Sequence, residues 1–333
     1  MNQPPLYPLT FHPIFQQRVW GGTSLARLYQ KPIPQDHPIG ESWEICDRPV
    51  DQAVSVVGHG PLAGQTLRHL MEERGEELLG RPVPPGQLFP LLIKILDAQQ
   101  TLSVQVHPPA SIAVQLHGEP KTEMWYVAEA RPDAELYVGL RRGTTRAEFE
   151  ERLQNGTVAD CLHRVPVRAG DAMFLPSGRV HAIGAGLVVF EVQQNSDTTY
   201  RVFDWNRPGL GGQPRALHVS QSLASIRFDD YEPGLITAKY SRNPAIKTRC
   251  LASDPLFQVD AWQVKRGQRF YLSSVVVQIL GLLQGRLRVS YLNQEIQLTA
   301  GQFLLLPACL ERVTLLAETR IEFLLIQLGS SPN

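Results

Sequence analysis

The chain has 333 residues, of which 43% are hydrophobic, and its 32 acidic side chains equal its 32 basic ones in number. This length predicts one large core or two lobes, and two lobes fit better. The balanced charge excludes the basic surface of a general nucleic-acid binder and leaves no polybasic segment for a membrane. A small molecule is therefore the expected partner.

Targeting and cysteine signals are sparse. The N-terminal segment has no basic region followed by an apolar run, and no segment reaches the roughly 20 apolar residues of a membrane span, so we expect a cytoplasmic protein. The four cysteines lie apart without a Cys-x-x-Cys pair, at Cys46, Cys161, Cys250 and Cys309. We expect buried thiols and no disulfides. Nothing implies an obligatory protein partner.

Short runs of Val, Ile, Leu and aromatic residues, separated by turn residues, predict strands through the first 210 residues. These runs are 90–98, 101–107, 122–128, 134–140, 171–176 and 186–194. Two segments, 64–80 and 144–156, instead carry a helical pattern, and Thr144 or Thr145 can cap the second one. Because strands and helices do not alternate regularly, the pattern predicts an all-β sandwich or barrel with a few peripheral helices.

The composition changes after the last of these strands. Residues 211–245 mix turn residues with one short helical segment near 216–225, which predicts a linker. Strand-like runs then resume at 257–264, 273–283, 285–292, 295–307 and 321–328. We therefore expect a second all-β lobe over 246–333.

One pattern occurs in both lobes. A Gly-x5-Pro unit begins at Gly170 and is followed five residues after its proline by His181, and the same spacing joins Gly301 to Arg312. This favours a second lobe that is a copy of the first without its metal ligand. The alternative is that the unit simply closes a strand and a turn in two unrelated segments.

Four polar residues of the first lobe can converge on one point. Residues two apart in a strand share a face, so Gln105, His107 and Ser103 point the same way. Glu123 begins one predicted strand and His181 follows a turn before another. Two imidazoles, a carboxylate and an amide suit a catalytic metal that keeps open positions, although His107 alone could equally be a hydrogen-bonded core histidine.

The order of these residues is that of a cupin barrel whose first metal-binding histidine is replaced by glutamine. More broadly, the sequence resembles the short bacterial form of type I mannose-6-phosphate isomerases, also called phosphomannose isomerases. The similarity covers about 7–210 and is carried by RVWGG (18–22), GESWE (40–44), PLLIKILDA (90–98), LSVQVHP (102–108), KTEMWY (121–126), the segment 170–181 and EVQQNSDTTYRVFDW (191–205).

The resemblance implies an all-β fold of two cupin, or jelly-roll, barrels, with a catalytic metal-binding lobe at 1–210 and a degenerate lobe at 246–333. It implies one Zn²⁺ per chain, held by Gln105, His107, Glu123 and His181. It also implies interconversion of mannose 6-phosphate and fructose 6-phosphate, with Arg201 as the active-site arginine. Longer members carry a histidine where this chain has Pro120, so no role of that histidine is carried over.

Such an isomerisation moves a proton between C1 and C2 through an enediolate, which requires a base, a stabiliser of the oxyanion and a phosphate anchor. The metal would be the stabiliser. Glu191 is the first candidate for the base, because burial at the end of an apolar strand raises a carboxyl pKa. Asp197, Lys121 and a hydroxide on the metal are the alternatives.

Two cations are candidates for binding the substrate. The planar fork of Arg201 fits the enediolate oxygens or the phosphate, but a salt bridge to Asp197 is an equally good explanation of its presence. Lys94 stands in an otherwise apolar strand and, with Ser103, is the expected phosphate anchor. The alternative is a Lys94 stem along the wall with its amine in solvent.

Two other classes compete with a zinc isomerase. One is an iron-dependent cupin oxygenase, which the glutamine ligand and the pair Lys94 and Ser103 argue against. The other is a sugar-phosphate sensor that binds metal without turnover, which the joint presence of Arg201, Glu191 and Lys121 disfavours.

Overall fold

The structure is a computed structural model that describes residues 4–34, 37–49, 52–273 and 275–329. In the first lobe, the elements in chain order are β1 (Ile14–Gly22), α1 (Ser24–Tyr29), β2 (Ile39–Ile45), α2 (Leu67–Leu79), β3 (Leu91–Ala98), β4 (Val104–Val106), α3 (Ala110–Ala113), β5 (Glu123–Ala130), β6 (Glu135–Leu140), α4 (Arg146–Gln154), β7 (Leu162–Pro166), β8 (Ala172–Leu175), β9 (His181–Ile183), β10 (Leu187–Gln194) and β11 (Tyr200–Phe203). A 3₁₀ turn at Val158–Cys161 precedes β7.

The rest of the chain begins with a helix and continues as strands. The elements are α5 (Val219–Ser225), β12 (Ile246–Ser253), β13 (Phe257–Val264), β14 (Arg269–Leu272), β15 (Gln278–Gln284), β16 (Arg286–Tyr291), β17 (Gln294–Thr299), β18 (Phe303–Leu306), β19 (Val313–Ala317) and β20 (Ile321–Leu328). Both helices predicted in the first lobe lie inside the expected segments, and α5 lies inside the predicted linker.

Each lobe consists of two antiparallel sheets. In the first lobe the strand orders are β1-β2-β3-β10-β5-β8 and β11-β4-β9-β6-β7. In the second lobe they are β12-β13-β20-β15-β18 and β14-β19-β16-β17. Strand pairing among the described residues closes neither lobe into a barrel, so the all-β cupin-like fold takes the form of double-sheet sandwiches. The two lobes share one strand order, since β13-β20-β15-β18 repeats β3-β10-β5-β8.

The repeated Gly-x5-Pro unit has the same hydrogen bonds in both lobes. Gly170 donates its N–H to the carbonyl of Val127, 2.8 Å away, and Gly301 donates to Leu282 at 2.7 Å. Both glycines have a positive φ, +93° and +82°, a conformation that other residues adopt only at a cost. The correspondence therefore extends from sequence spacing to backbone geometry.

The four sheets are stacked in layers, and alternation along the strands decides what each layer buries. In β10, Leu187 and Val189 pack in the core between the two sheets of the first lobe. Val188, Phe190 and Val192 point the other way, into a core shared with strands of the second lobe. The larger sheet of the first lobe is thus covered on both faces, and this packing holds its strands in position.

The second lobe has a separate core of mainly leucine and valine side chains, which also contains a group of three aromatic rings. Trp262, Phe270 and Phe323 stack on one another at centroid distances of 5.5 to 6.3 Å. Arg312, which corresponds in spacing to His181, lies over the ring of Tyr271 at 3.5 Å. Among the described residues, the candidate metal cluster lies in the first lobe.

All four cysteines are free. Cys46 and Cys161 are buried, as expected, but the expectation of burial is wrong for Cys250 and Cys309, which are exposed on the second lobe. Within the described part of the chain, no helix is long and apolar enough to span a membrane.

A first testable prediction concerns α2, whose first turn is capped by a threonine. The hydroxyl of Thr66 accepts a hydrogen bond from the backbone N–H of His69 at 3.1 Å. Thr66→Ala removes this acceptor, so we expect the free energy of unfolding to fall by about 1 kcal/mol. Denaturant unfolding measures this, with Thr66→Ser as the control that keeps the hydroxyl. Equal losses in both variants would contradict the capping role.

Candidate metal centre and active site

Three side chains of the first lobe form a buried cluster. Glu123 is the first residue of β5, His181 is the first residue of β9, and His107 directly follows β4. Their ligand atoms all lie within 4.8 Å of one another. Glu123 Oε1 is 3.4 Å from His107 Nε2, and Oε2 is 3.5 Å from His181 Nε2. Three of the four predicted metal ligands therefore meet at one point.

Hydrogen bonds orient both imidazoles toward that point. Nδ1 of His107 lies 2.8 Å from the carbonyl oxygen of Thr198, and Nδ1 of His181 lies 2.9 Å from that of Arg179. A carbonyl only accepts, so each Nδ1 carries the proton and each Nε2 keeps a lone pair. Both Nε2 atoms are buried without a hydrogen-bond partner. Backbone carbonyls orient metal-binding histidines in this way, and the unpartnered nitrogens suit a cation.

Electrostatics favours the protonation states that metal ligation requires. Burial lowers the pKa of His107, and it lowers the pKa of His181 to about 3, so both imidazoles are neutral. Burial by itself would raise the pKa of Glu123, but the Lys121 ammonium holds it well below its usual value. The cluster thus presents two neutral nitrogens and one carboxylate, a donor set that fits zinc or iron.

Gln105, the fourth predicted ligand, is placed beside the cluster by strand pairing. It lies opposite His181 in the β4–β9 ladder and opposite Arg201 in the β4–β11 ladder. Its neighbours Val104 and Val106 point to the other face, into the core that covers this sheet. Gln105 itself is half-buried and lines the adjoining cavity.

A cavity of about 490 Å³ lies beside the cluster. Strands β1, β2, β3, β10 and β11 and the segment after β11 contribute to its walls. Polar and charged residues dominate its lining, namely Gln17, Arg18, Glu41, Lys94, Ser103, Gln105, Lys121, Glu191, Asp197, Thr199, Arg201 and Arg215. Every residue predicted as catalytic or substrate-binding lines this cavity.

Strand register explains why these residues converge. Across four neighbouring strands, Trp43, Lys94, Glu191 and Trp125 are successive cross-strand partners. They form one row on the face of the sheet toward the cavity. Lys94 Nζ lies 3.7 Å from Glu191 Oε1, and Trp125 Nε1 donates to Glu191 Oε2 at 2.9 Å.

The proposed base candidates differ sharply in their surroundings. Burial raises the pKa of Glu191, with a further rise from Glu123. Lys121 lies 2.6 Å from Glu123 Oε1; burial would lower its pKa, but Glu123 and Glu191 raise it, so the lysine stays charged. Asp197 is exposed. Among these three, Glu191 alone combines burial in the wall with a pKa moved toward neutrality.

Two alternatives left open by the sequence are decided by contacts. Arg201 forms no ion pair with Asp197 in the described structure; its Nη1 donates to the carbonyl of Ala216 at 2.7 Å, and its buried Nε has no hydrogen-bond partner. Lys94 does not reach solvent with its amine, because the residue is 4% exposed and its ammonium lies between Glu191 and Glu41. Both cations therefore belong to the cavity wall.

Some residues of the cavity were missed in the sequence. Glu41 and Arg18 form a 2.7 Å ion pair in the wall, and Arg215 reaches the cavity while paired with Asp204 at 2.7 Å. A charged residue inside an apolar run was the signal that singled out Lys94, whereas Glu41 carries no such signal, because β2 also contains Ser42 and Glu44. No comparable signal marks Arg215, because its position depends on the course of the segment after β11.

Paired β-sandwiches with a buried two-histidine, one-glutamate cluster beside a polar cavity define a cupin-type enzyme with a candidate divalent-metal site. A family model of the catalytic domain of type I phosphomannose isomerases matches residues 9–151. The chain is 36% identical to a mannose-6-phosphate isomerase of Streptococcus mutans over 90% of its length and 92% of the relative's. It is 39% identical to the Bacillus subtilis mannose-6-phosphate isomerase ManA, over 81% and 85% of the two chains.

A crystal structure of a mannose 6-phosphate isomerase from Bacillus subtilis has the same fold, with a TM-score of 0.87 and 29% identity over 96% of this chain and 99% of the other. This chain belongs to the type I phosphomannose isomerase family.

Proposed function

We propose that this enzyme interconverts mannose 6-phosphate and fructose 6-phosphate. The observation that carries the proposal is the junction of the His107–Glu123–His181 cluster with a cavity whose wall holds a buried carboxylate and several cations. An aldose–ketose isomerisation needs a base near C1 and C2, a stabiliser for the developing oxyanion and positive charge for the phosphate. The relatives that match most of the chain are named for this reaction.

The metal we propose is one Zn²⁺ per chain, held by Gln105, His107, Glu123 and His181. Support comes from the two unpartnered Nε2 atoms, the neutral imidazoles and the position of Gln105 opposite His181. Bound there, a divalent cation supplies Lewis acidity toward a sugar oxygen. Metal analysis of the purified protein tests its identity, and stoichiometric iron in place of zinc would favour an oxygenase.

The proton transfer is assigned to Glu191. Its carboxylate lies in the cavity wall, where Trp125 fixes one oxygen and the other faces Lys94. In the proposed mechanism this carboxylate takes the proton from C2 and returns it to C1, while the hydroxyl proton of O2 passes to O1, and the reverse reaction runs the same transfers backward. Lys121 is charged and paired with Glu123, so it serves as a hydrogen-bond donor to the substrate. The guanidinium group of Arg201 binds the oxygens of the enediolate or of the phosphate. Asp197 is exposed and lines the same cavity.

The phosphate requires a second proposal, because the surroundings of Lys94 leave it little free positive charge. Two carboxylates lie 3.4 and 3.7 Å from its ammonium. In contrast, Arg207 and Arg215 both pair with one carboxylate, Asp204, and Arg201 forms no ion pair among the described residues, so these four groups carry a net charge of about +2. We place the phosphate at this arginine cluster and keep Lys94 and Ser103 as ligands of the sugar.

This placement predicts how inorganic phosphate inhibits the enzyme. Arg215→Gln removes one positive charge from the cluster. Because this costs the phosphate one charge-assisted hydrogen bond, we expect the inhibition constant for phosphate to rise about tenfold. Lys94→Met is the matched variant and should leave phosphate inhibition within about twofold. The opposite pattern would make Lys94 the phosphate anchor, as the sequence first suggested.

The activity itself is tested by following the conversion of mannose 6-phosphate to fructose 6-phosphate. We expect turnover that a chelator abolishes and that added Zn²⁺ restores. Metal binding without turnover, in protein that binds mannose 6-phosphate, would instead identify a sensor. A cytoplasmic location stays a prediction.

A further inference from the structure

The buried carboxylate of Glu41 contacts two cations of the cavity wall, although Glu41 is not among the proposed catalytic, substrate-binding or metal-binding residues. Its residue is 7% exposed. One oxygen lies 2.7 Å from Nε of Arg18. The other accepts a hydrogen bond from Trp43 Nε1 at 2.6 Å and lies 3.4 Å from Nζ of Lys94. One side chain thus joins β1, β2 and β3 at the edge of the cavity.

These contacts restrict Lys94 from two sides. Trp43 places its ring 4.9 Å from Nζ while its indole N–H is held by Glu41. Since the ammonium also lies 3.7 Å from Glu191, its position is set between a fixed carboxylate on one side and the proposed base on the other. Burial would raise the pKa of Glu41, but Lys94 and Arg18 lower it to about 2, so this carboxylate stays charged at neutral pH.

We propose that Glu41, itself held by Arg18 and Trp43, is a positioning residue that keeps Lys94 in the geometry that the substrate and Glu191 require. The proposal rests on the isomerase function argued above. Glu41 acts through Lys94: without its charge, the ammonium has Glu191 as its remaining carboxylate and moves toward it, which misplaces both groups for the sugar. A misplacement of about 1 Å lowers turnover about 100-fold.

The same strand supplies a matched control. Ser42 points to the face of β2 opposite its neighbour Glu41, and it donates a hydrogen bond to Oε1 of Glu44 at 2.5 Å, so Glu44 also lies on that opposite face. Glu44 is equally buried, at 5% exposure, and forms its own 2.7 Å ion pair with buried Lys31. It lines a separate cavity toward the second lobe. Glu44→Gln therefore removes a buried carboxylate from the same strand without touching the active-site wall.

The test compares Glu41→Gln, Glu44→Gln, Lys94→Met and the double variant of Glu41 and Lys94 in the metal-loaded enzyme. We expect Glu41→Gln to lower kcat about 100-fold with a full complement of metal, and Glu44→Gln to stay within about threefold of wild type. The double variant should be no slower than Lys94→Met, because Glu41 has nothing to position once the ammonium is gone.

Each other outcome has a defined meaning. Equal losses of kcat in Glu41→Gln and Glu44→Gln, with parallel falls in the melting temperature, would assign Glu41 a purely structural role and overturn the inference. Additive losses in the double variant would do the same, since they exclude action through Lys94. A wild-type enzyme that does not turn over mannose 6-phosphate would refute the proposed function instead, so the two failures are distinguishable.

Discussion

Replacing His107 with alanine should abolish both metal binding and isomerisation. The imidazole supplies one of the two unpartnered Nε2 atoms of the buried cluster, and its removal leaves Glu123 and His181 with an incomplete donor set. A divalent cation held by these residues would supply Lewis acidity that lowers the barrier by several kcal/mol, so the expected loss of kcat is about 1,000-fold. Metal content measured on the same samples should fall from about one ion per chain toward zero.

The control for this variant is a histidine outside the cluster. His59 is partly buried, and its ring is hydrogen-bonded to Thr10 and packs against Tyr7, away from the three ligands. His59→Ala should keep both the metal and the turnover even if it lowers stability. If His107→Ala remains active in the presence of a chelator, the metal mechanism is wrong.

Replacing Glu191 with glutamine should lower kcat about 1,000-fold and leave metal content unchanged. Glutamine keeps the size of the side chain and an oxygen that can accept from Trp125, but it cannot take a proton. General base catalysis typically contributes between about 100-fold and 10,000-fold, which sets the expected loss. KM should change little, because the cations that bind the substrate are retained.

Proton exchange provides a readout specific to this role. The wild-type enzyme should exchange the C2 hydrogen of mannose 6-phosphate with deuterium from heavy water, and Glu191→Gln should lose this exchange together with turnover. Glu129→Gln, a substitution on β5 of a partly exposed glutamate that pairs with Arg27, is the matched control and should keep both activities. Loss of exchange in Lys121→Met but not in Glu191→Gln would move the base to Lys121.

The contrast between Lys94 and Arg215 illustrates what a sequence reveals about a site. Lys94 was found because a charge inside the apolar run 90–98 requires a partner or a ligand. The sequence did not reveal that its partners are Glu41 and Glu191, since that depends on the register of three strands separated by about 50 and 100 residues. Arg215 carries no such signal and reaches the cavity only because its segment folds back onto Asp204.

The sequence by itself determined the β-rich fold, the repeated unit at Gly170 and Gly301, and three ligands of the candidate metal cluster. The β-rich fold and the repeated unit depend on local alternation and turn chemistry, which can be read from short segments, whereas the three ligands were identified by their order along the chain and by the family resemblance. Only the tertiary structure decided that the lobes are double sheets sharing a core, and that Trp43, Lys94, Glu191 and Trp125 form one row. Strand pairing joins residues distant in the chain, and its register follows from how whole faces pack together.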